Sequence, residues 1–216
     1  MSRGHFITLE GGEGAGKSTL ARALCERLEK AGLTARTTRE PGGSPKAEVI
    51  REMILAGQAR DYGPFAEALM FSAARIDHID SLIRPALTRG EWVICDRFID
   101  STRVYQGVLG KLDKAVLAEL EAVTISGLMP DLTLILDLDP EIGLARAAKR
   151  RRPGEAVDRF EGEAVAFHRN LRQAYLAIAS AELQRCAVLD ATLPPEALAD
   201  AAWRILRERL PIDLEF

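Results

Sequence analysis

Between an apolar run, HFITLE, and a helical pattern, LARALCERLEKAG, stands the stretch GGEGAGKST at positions 11 to 19. It fits GxxxxGK followed by Ser or Thr, with Gly11, Gly16, Lys17 and Ser18 in the fixed places. Such a loop constrains the fold because it works only where a buried strand hands over to the first turn of a helix. Glycines let the backbone wrap closely, so that successive N–H groups point inward at a helix mouth whose dipole also favours negative charge. Gly11, Gly12, Glu13, Gly14, Ala15, Gly16, Lys17, Ser18 and Thr19 are therefore the candidate seat of a nucleotide phosphate chain. Lys17 adds a point charge toward the β- and γ-phosphates, and Ser18 offers a hydroxyl to Mg²⁺.

The rest of the chain repeats the same alternation. FITL, WVIC and LTLIL read as buried strands, with TARTT and CAVLD as weaker ones. Helical patterns lie between them: Leu20, Ala23, Leu24, Leu28 and Ala31 recur at helical spacing before Gly32 closes the run. Further helices are expected over 45–55, 65–88, 112–125, 140–149, 160–181 and 195–209. Strands alternating with helices indicate an α/β fold around a parallel sheet, and 216 residues suit one domain.

A net charge of −3 argues against binding nucleic acid through bulk electrostatics. Three scattered cysteines, Cys25, Cys95 and Cys186, form no CxxC pair and suit buried positions in a reducing compartment. No run approaches a membrane span or a secretory leader, so a cytoplasmic protein without a membrane partner is expected.

Four further stretches carry candidate chemistry. In TTREPGGS, residues 37 to 44, Arg39 follows the second strand, at the carboxyl edge where ligands of open α/β sheets bind, and is a candidate clamp for a second phosphate. In LMFSAAR, Phe71 and Arg75 lie four apart on one helix face and offer an aromatic plate beside a guanidinium, suited to a planar base with a carbonyl. In WVICDRFIDSTRVYQG, Asp96 ends a buried strand where a carboxylate would orient Mg²⁺ with Ser18, and Arg97 emerges beside it toward the phosphate of Arg39. Ser101, Tyr105 and Gln106 offer a hydroxyl, a phenol and an amide to a pyrimidine, the Tyr leaving no room for a 2′-hydroxyl. The charged stretch KRRRPGEAVDRFEGE holds Arg150, Arg151 and Arg152 and is a candidate lid over about 149–161, rich in the charge a transferring phosphoryl group needs. Taken singly, each stretch also reads as a surface turn, a core aromatic or a solvated charge.

Together, LEGGEGAGKST, TREPGG, LMFSAAR, IRPALTRGEWVICDRFIDSTRVYQG, MPDLTLILDLDPEIGLARA and DRFE resemble the thymidylate kinases, P-loop enzymes that phosphorylate dTMP with ATP and Mg²⁺ on the way to dTTP. The resemblance implies a core of five parallel strands and a homodimer. It also implies that Arg39 and Arg97 hold the dTMP phosphate, Phe71 stacks on thymine and Arg75 hydrogen-bonds it. Glu13 then lies near the sugar 3′-hydroxyl, Gln106 at the base and Tyr105 against the sugar edge. With Ala15 before Gly16, the chain resembles members that supply the catalytic arginine from the lid, from among Arg150, Arg151 and Arg152. Arg146 and residues 190–192 are candidates for the adenine edge. Two other readings remain open at this level: a P-loop kinase for another nucleoside or nucleoside monophosphate, and a nucleotide-dependent switch, although no NKxD segment is present.

Overall fold

The computed structural model describes residues 3–151 and 160–212. Strands β1 (Phe6–Gly11), β2 (Ala35–Arg39), β3 (Trp92–Asp96), β4 (Leu132–Asp137) and β5 (Cys186–Asp190) pair in parallel in the order β2-β3-β1-β4-β5. All five expected strands are present. β1 is buried along its whole length, which is why it reads as a continuous apolar run, while edge strand β2 is partly exposed and more polar. Successive β1 residues alternate between faces. Ile7 and Leu9 join Leu24, Leu28, Ala202 and Leu206 in one core, whereas Phe6 packs with Ile79, Ile83 and Phe98 in another. Thr8 and Glu10 share the face of Phe6, and the Thr8 hydroxyl meets that of Thr133 at 2.7 Å.

Helices α1 (Lys17–Lys30), α2 (Pro45–Leu55), α7 (Pro140–Arg150) and α9 (Pro195–Arg209) fall within a residue of expectation or begin directly after the loop. Gly32, at φ 80°, ends α1 as expected: its N–H donates to the Glu29 carbonyl and that of Leu33 to Leu28, with both leucines in the core. Three expected helices change in detail. The span 65–88 is α3 (Gly63–His78), a wider π-type turn at Ile79–Ile83, and α4 (Arg84–Thr88). Pro85 lacks an N–H and crowds the preceding turn, and the wider turn absorbs it. The span 112–125 becomes α6 (Lys114–Ile125), because the Asp113 side chain accepts from the N–H groups of Ala115 and Val116 and so caps it. The span 160–181 becomes α8 (Val165–Ala181), the preceding residues forming a turn. Between β3 and α6 lie the short α5 (Ile99–Thr102) and a second π-type segment, Arg103–Leu109.

The connection leaving β1 runs to β2 on one side, and the one leaving β3 runs to β4 on the other. The carboxyl ends of β1 and β3 are thus adjacent at a point where the chain changes direction, which is where an open α/β sheet binds its ligand. Register confirms the adjacency, with Leu9 beside Asp96 and Asp96 beside Arg39. All three cysteines are free, and among the described residues no helix is long and apolar enough to cross a membrane.

Candidate active site

The loop after β1 needs glycine for two separate reasons. Gly16, at φ 96°, sits in the left-handed region as the residue before α1. Gly14, also left-handed at φ 66°, has a close backbone neighbour as well: a Cβ there would stand 2.0 Å from the carbonyl oxygen of Gly143 in α7, and a Cβ on Gly143 would stand 2.3 Å from that of Glu13. Two bare backbones therefore press together and hold the loop against α7. Lys17 is buried in the first turn of α1, its Nζ donating to the carbonyls of Gly11 at 3.1 Å and Gly12 at 2.8 Å. Burial lowers its pKa, and the nearby Arg97 cation lowers it further.

At the end of β3, Asp96 accepts a hydrogen bond from Ser18 Oγ at 2.6 Å. Arg97 then turns through φ 72°, a conformation uncommon for a side chain of this size, and points its guanidinium back across the loop. Its Nη2 donates to Glu13 at 2.6 Å, and its Nη1 faces Tyr175 OH at 3.2 Å and Ser101 Oγ at 3.4 Å. Burial alone would raise the Glu13 carboxyl, but Arg97 and Lys17 outweigh it and hold the pKa down at about 2. Glu13 is therefore an anion at every working pH.

These groups open into a cavity of about 210 Å³ at the switch point. The loop from Glu13 to Ser18 and Asp96 forms one end. Arg39, Phe71, Arg97, Ser101, Tyr105 and Gln106 line the remainder. Tyr105 lies under the Arg97 guanidinium at 5.4 Å and meets Phe160 edge-on at 5.0 Å. Gln106 is buried, its amide donating to Glu67 at 3.2 Å. Unlike Lys17 and Arg97, Arg39 is about half exposed and is paired with Glu48 at 3.0 Å.

Arg75 does not itself face the cavity. It is buried beneath it, donating through Nε to Glu40 at 2.7 Å, Nη1 to Thr102 at 3.0 Å and Nη2 to the Phe98 carbonyl at 3.1 Å. Its partners Glu40 and Thr102 form part of the wall. The candidates on the far side of the loop divide. Arg150, at the end of α7, lines the cavity, while Arg151 is paired with Glu161. Arg152 and most of the expected lid lie outside the described residues. Arg146 stands apart from the cavity and donates to the Ala191 carbonyl at 3.0 Å, which brings it to the 190–192 segment.

The geometry thus joins a phosphate loop to a second cationic site walled by aromatic and amide groups. A family model described as Thymidylate kinase matches residues 9–202. The chain belongs to the thymidylate kinase family. It is 58% identical over 209 residues to a thymidylate kinase of Rhodopseudomonas palustris, covering 96% of this chain and 90% of that one. It is 57% identical over 207 residues to one of Nitrobacter winogradskyi, with the same coverage. The crystal structure of the thymidylate kinase from Ehrlichia chaffeensis superposes with a TM-score of 0.75 at 28% identity, over 94% of this chain and 99% of that chain. The shared architecture is the P-loop NTPase fold.

Several groups of this thymidylate kinase-type site escape a reading of the sequence. Glu10 stands next to the end of a buried, largely apolar strand, and Tyr175 comes from α8. Glu40 lies inside the TREPGG turn and joins Arg75 to His78, whose Nδ1 is 3.1 Å from the same carboxylate. The peptide bond before Pro41 is cis. Gly143 carries a faint signal, as a lone glycine in a helical pattern. Arg51, which donates to the Pro41 carbonyl at 2.7 Å, reads as an ordinary helix-surface charge.

Proposed function

We propose that the chain transfers the γ-phosphoryl group of ATP to dTMP, giving ADP and dTDP. One observation carries this reading: the phosphate loop shares its cavity with a separate cationic site built on Arg97 and Arg39, beside the Phe71 ring. A switch-type NTPase needs the first and has no use for the second. An oxygen of the dTMP phosphate attacks the γ-phosphorus as the bond to the ADP oxygen breaks. The transferring group carries its charge on three oxygens, so positioning and electrostatic stabilisation supply most of the catalysis. Lys17 and Arg150 face the ATP tail, Arg97 and Arg39 bring the acceptor phosphate in line, and Glu13 takes the sugar 3′-hydroxyl. Phe71 stacks on thymine, with Gln106 and Tyr105 closing the base and sugar edges. Arg75 reads the base from the floor it shares with Thr102. Arg146 and residues 190–192 take the adenine.

The residues present suit Mg²⁺. Ser18 and Asp96 place two oxygen ligands together at the loop, and among the described residues no three His, Cys, Asp or Glu side chains cluster into a metal cage. Mg²⁺ is held in this way, by one or two protein oxygens with nucleotide phosphates and water. When bound, it offsets charge on the phosphate oxygens. The chain acts as one kinase domain in the cytoplasm and as a homodimer. The dimer draws support from Phe65, Leu69 and Ile76 on α3 and Val116 and Val123 on α6, apolar side chains left exposed on two helices.

The test is ADP release with ATP and Mg²⁺ while dTMP, dUMP, dCMP, UMP and thymidine are offered one at a time. Fast turnover with dTMP, and slow turnover with UMP and thymidine, is expected. ADP formation that is equal without any acceptor would move the switch reading to the front.

A further inference from the structure

Glu10 is fully buried next to the end of β1, directly behind the arginine that faces the acceptor, and neither the phosphate loop nor the cavity wall accounts for it. Its two oxygens are fully engaged. Oε1 accepts from the backbone N–H of Phe98 at 2.8 Å and of Ser101 at 3.2 Å, the groups that follow the left-handed turn at Arg97. Oε2 accepts from Ser101 Oγ at 2.7 Å and from Tyr175 OH at 3.0 Å. Those two hydroxyls are 2.9 Å apart, and both face Arg97 Nη1.

The number of protons makes the arrangement directional. A hydroxyl has one proton to give and two lone pairs to offer. With both protons drawn onto Oε2, both oxygens are left as acceptors, and the Arg97 guanidinium faces their lone pairs as donor. Remove the charge at Glu10 and each hydroxyl is free to turn its proton elsewhere, so the cradle under Arg97 loses its direction. Oε1 meanwhile ties down the backbone on which Arg97 is mounted.

We propose that Glu10 is a positioning residue for the acceptor site, fixing Arg97 through Ser101, Tyr175 and the backbone of residues 98–101. It touches neither nucleotide. The proposal rests on the reading of Arg97 as a ligand of the acceptor phosphate.

The experiment is steady-state kinetics at pH 8, with ATP and dTMP varied separately, on the wild type, Glu10→Gln, Arg97→Ala and the double variant. Glu10→Gln is expected to raise KM for dTMP about tenfold, the loss of one charge-assisted interaction, while KM for ATP stays within about twofold. In the Arg97→Ala background the same substitution should add nothing to KM for dTMP, since the group it positions is gone. Equal increases for both substrates, or an undiminished effect without Arg97, would overturn the proposal and leave Glu10 a structural carboxylate. Arg97→Ala leaving KM for dTMP unchanged would instead contradict the acceptor role of Arg97 itself. Should Glu10→Gln fail to fold, Tyr175→Phe removes one hydroxyl from the same cradle. It should show the same dependence on Arg97 at about threefold, and an effect independent of Arg97 would overturn the proposal equally.

Discussion

Arg97 and Arg39 reach the same cavity from neighbouring strands, yet they are held in opposite ways. Arg97 is 15% exposed, mounted on a left-handed turn and tied to Glu13, Ser101 and Tyr175. Arg39 is 56% exposed, and the bond found for it is to Glu48, itself partly exposed. A buried cation surrounded by fixed acceptors meets an incoming phosphate with little reorganisation. A surface cation pays side-chain entropy to do the same and must leave a competing carboxylate. The site thus pairs a preset arginine with an adjustable one, and the two should not be equivalent in solution.

That contrast can be broken by substitution. Arg97→Ala leaves the half-buried Glu13 without its ion-pair partner and takes away the preset ligand, so kcat/KM for dTMP should fall by about 10³. Arg39→Ala should cost only about ten- to a hundredfold, the worth of a charge-assisted hydrogen bond. Initial-rate measurements on the two variants decide it, and comparable losses would mean that the buried setting of Arg97 confers no advantage.

A smaller effect sharpens the same point through the carboxylate behind Arg97. Burial pushes the Glu10 pKa up, Asp100 pushes the same way, and Arg97 with the hydrogen bonds only partly offsets them, leaving it at about 7 against 4.5 for an ordinary Glu. The folded chain therefore keeps a proton that the unfolded chain releases. The associated stability is present in full below about pH 4.5 and lost as pH rises through about 7. The Glu10 charge also raises the pKa values of Lys17 and Tyr175, so Glu10→Gln removes this contribution together with its effect on those two groups. Denaturant unfolding at pH 5 and pH 8 should show the wild type losing stability relative to Glu10→Gln, by at most about 1.4 kcal/mol per pH unit. A constant difference would place the Glu10 pKa in the ordinary range.

The same contrast marks what the sequence disclosed. The loop, the five strands and the turn carrying Asp96 and Arg97 were legible because each is a local pattern: a fixed spacing, an apolar run, a polar residue at its end. Arg39 and Phe71 were legible for the same reason. The support behind Arg97 was not. Ser101 and Tyr175 are 74 residues apart, and Glu40 and Arg75 are 35 apart, so no local spacing links them. Glu10 is hidden by its strand, which is buried on both faces and shows no alternation that would mark a polar side chain as meaningful. Arg75 shows a limit of another kind. Helical spacing rightly put it on the face of Phe71, but spacing gives no depth, and the guanidinium lies under the cavity wall. The π-type turn at Ile79–Ile83 was hinted at only by Pro85, which signals a disturbance without its form.

The most direct measurement is a crystal structure with dTMP bound. The phosphate is expected within hydrogen-bonding distance of both arginines, with Arg97 still seated on Ser101 and Tyr175 and Arg39 turned away from Glu48. A phosphate bound out of reach of Arg97, or an Arg97 that has left Ser101 and Tyr175 to meet it, would show that Arg97 is not a preset ligand.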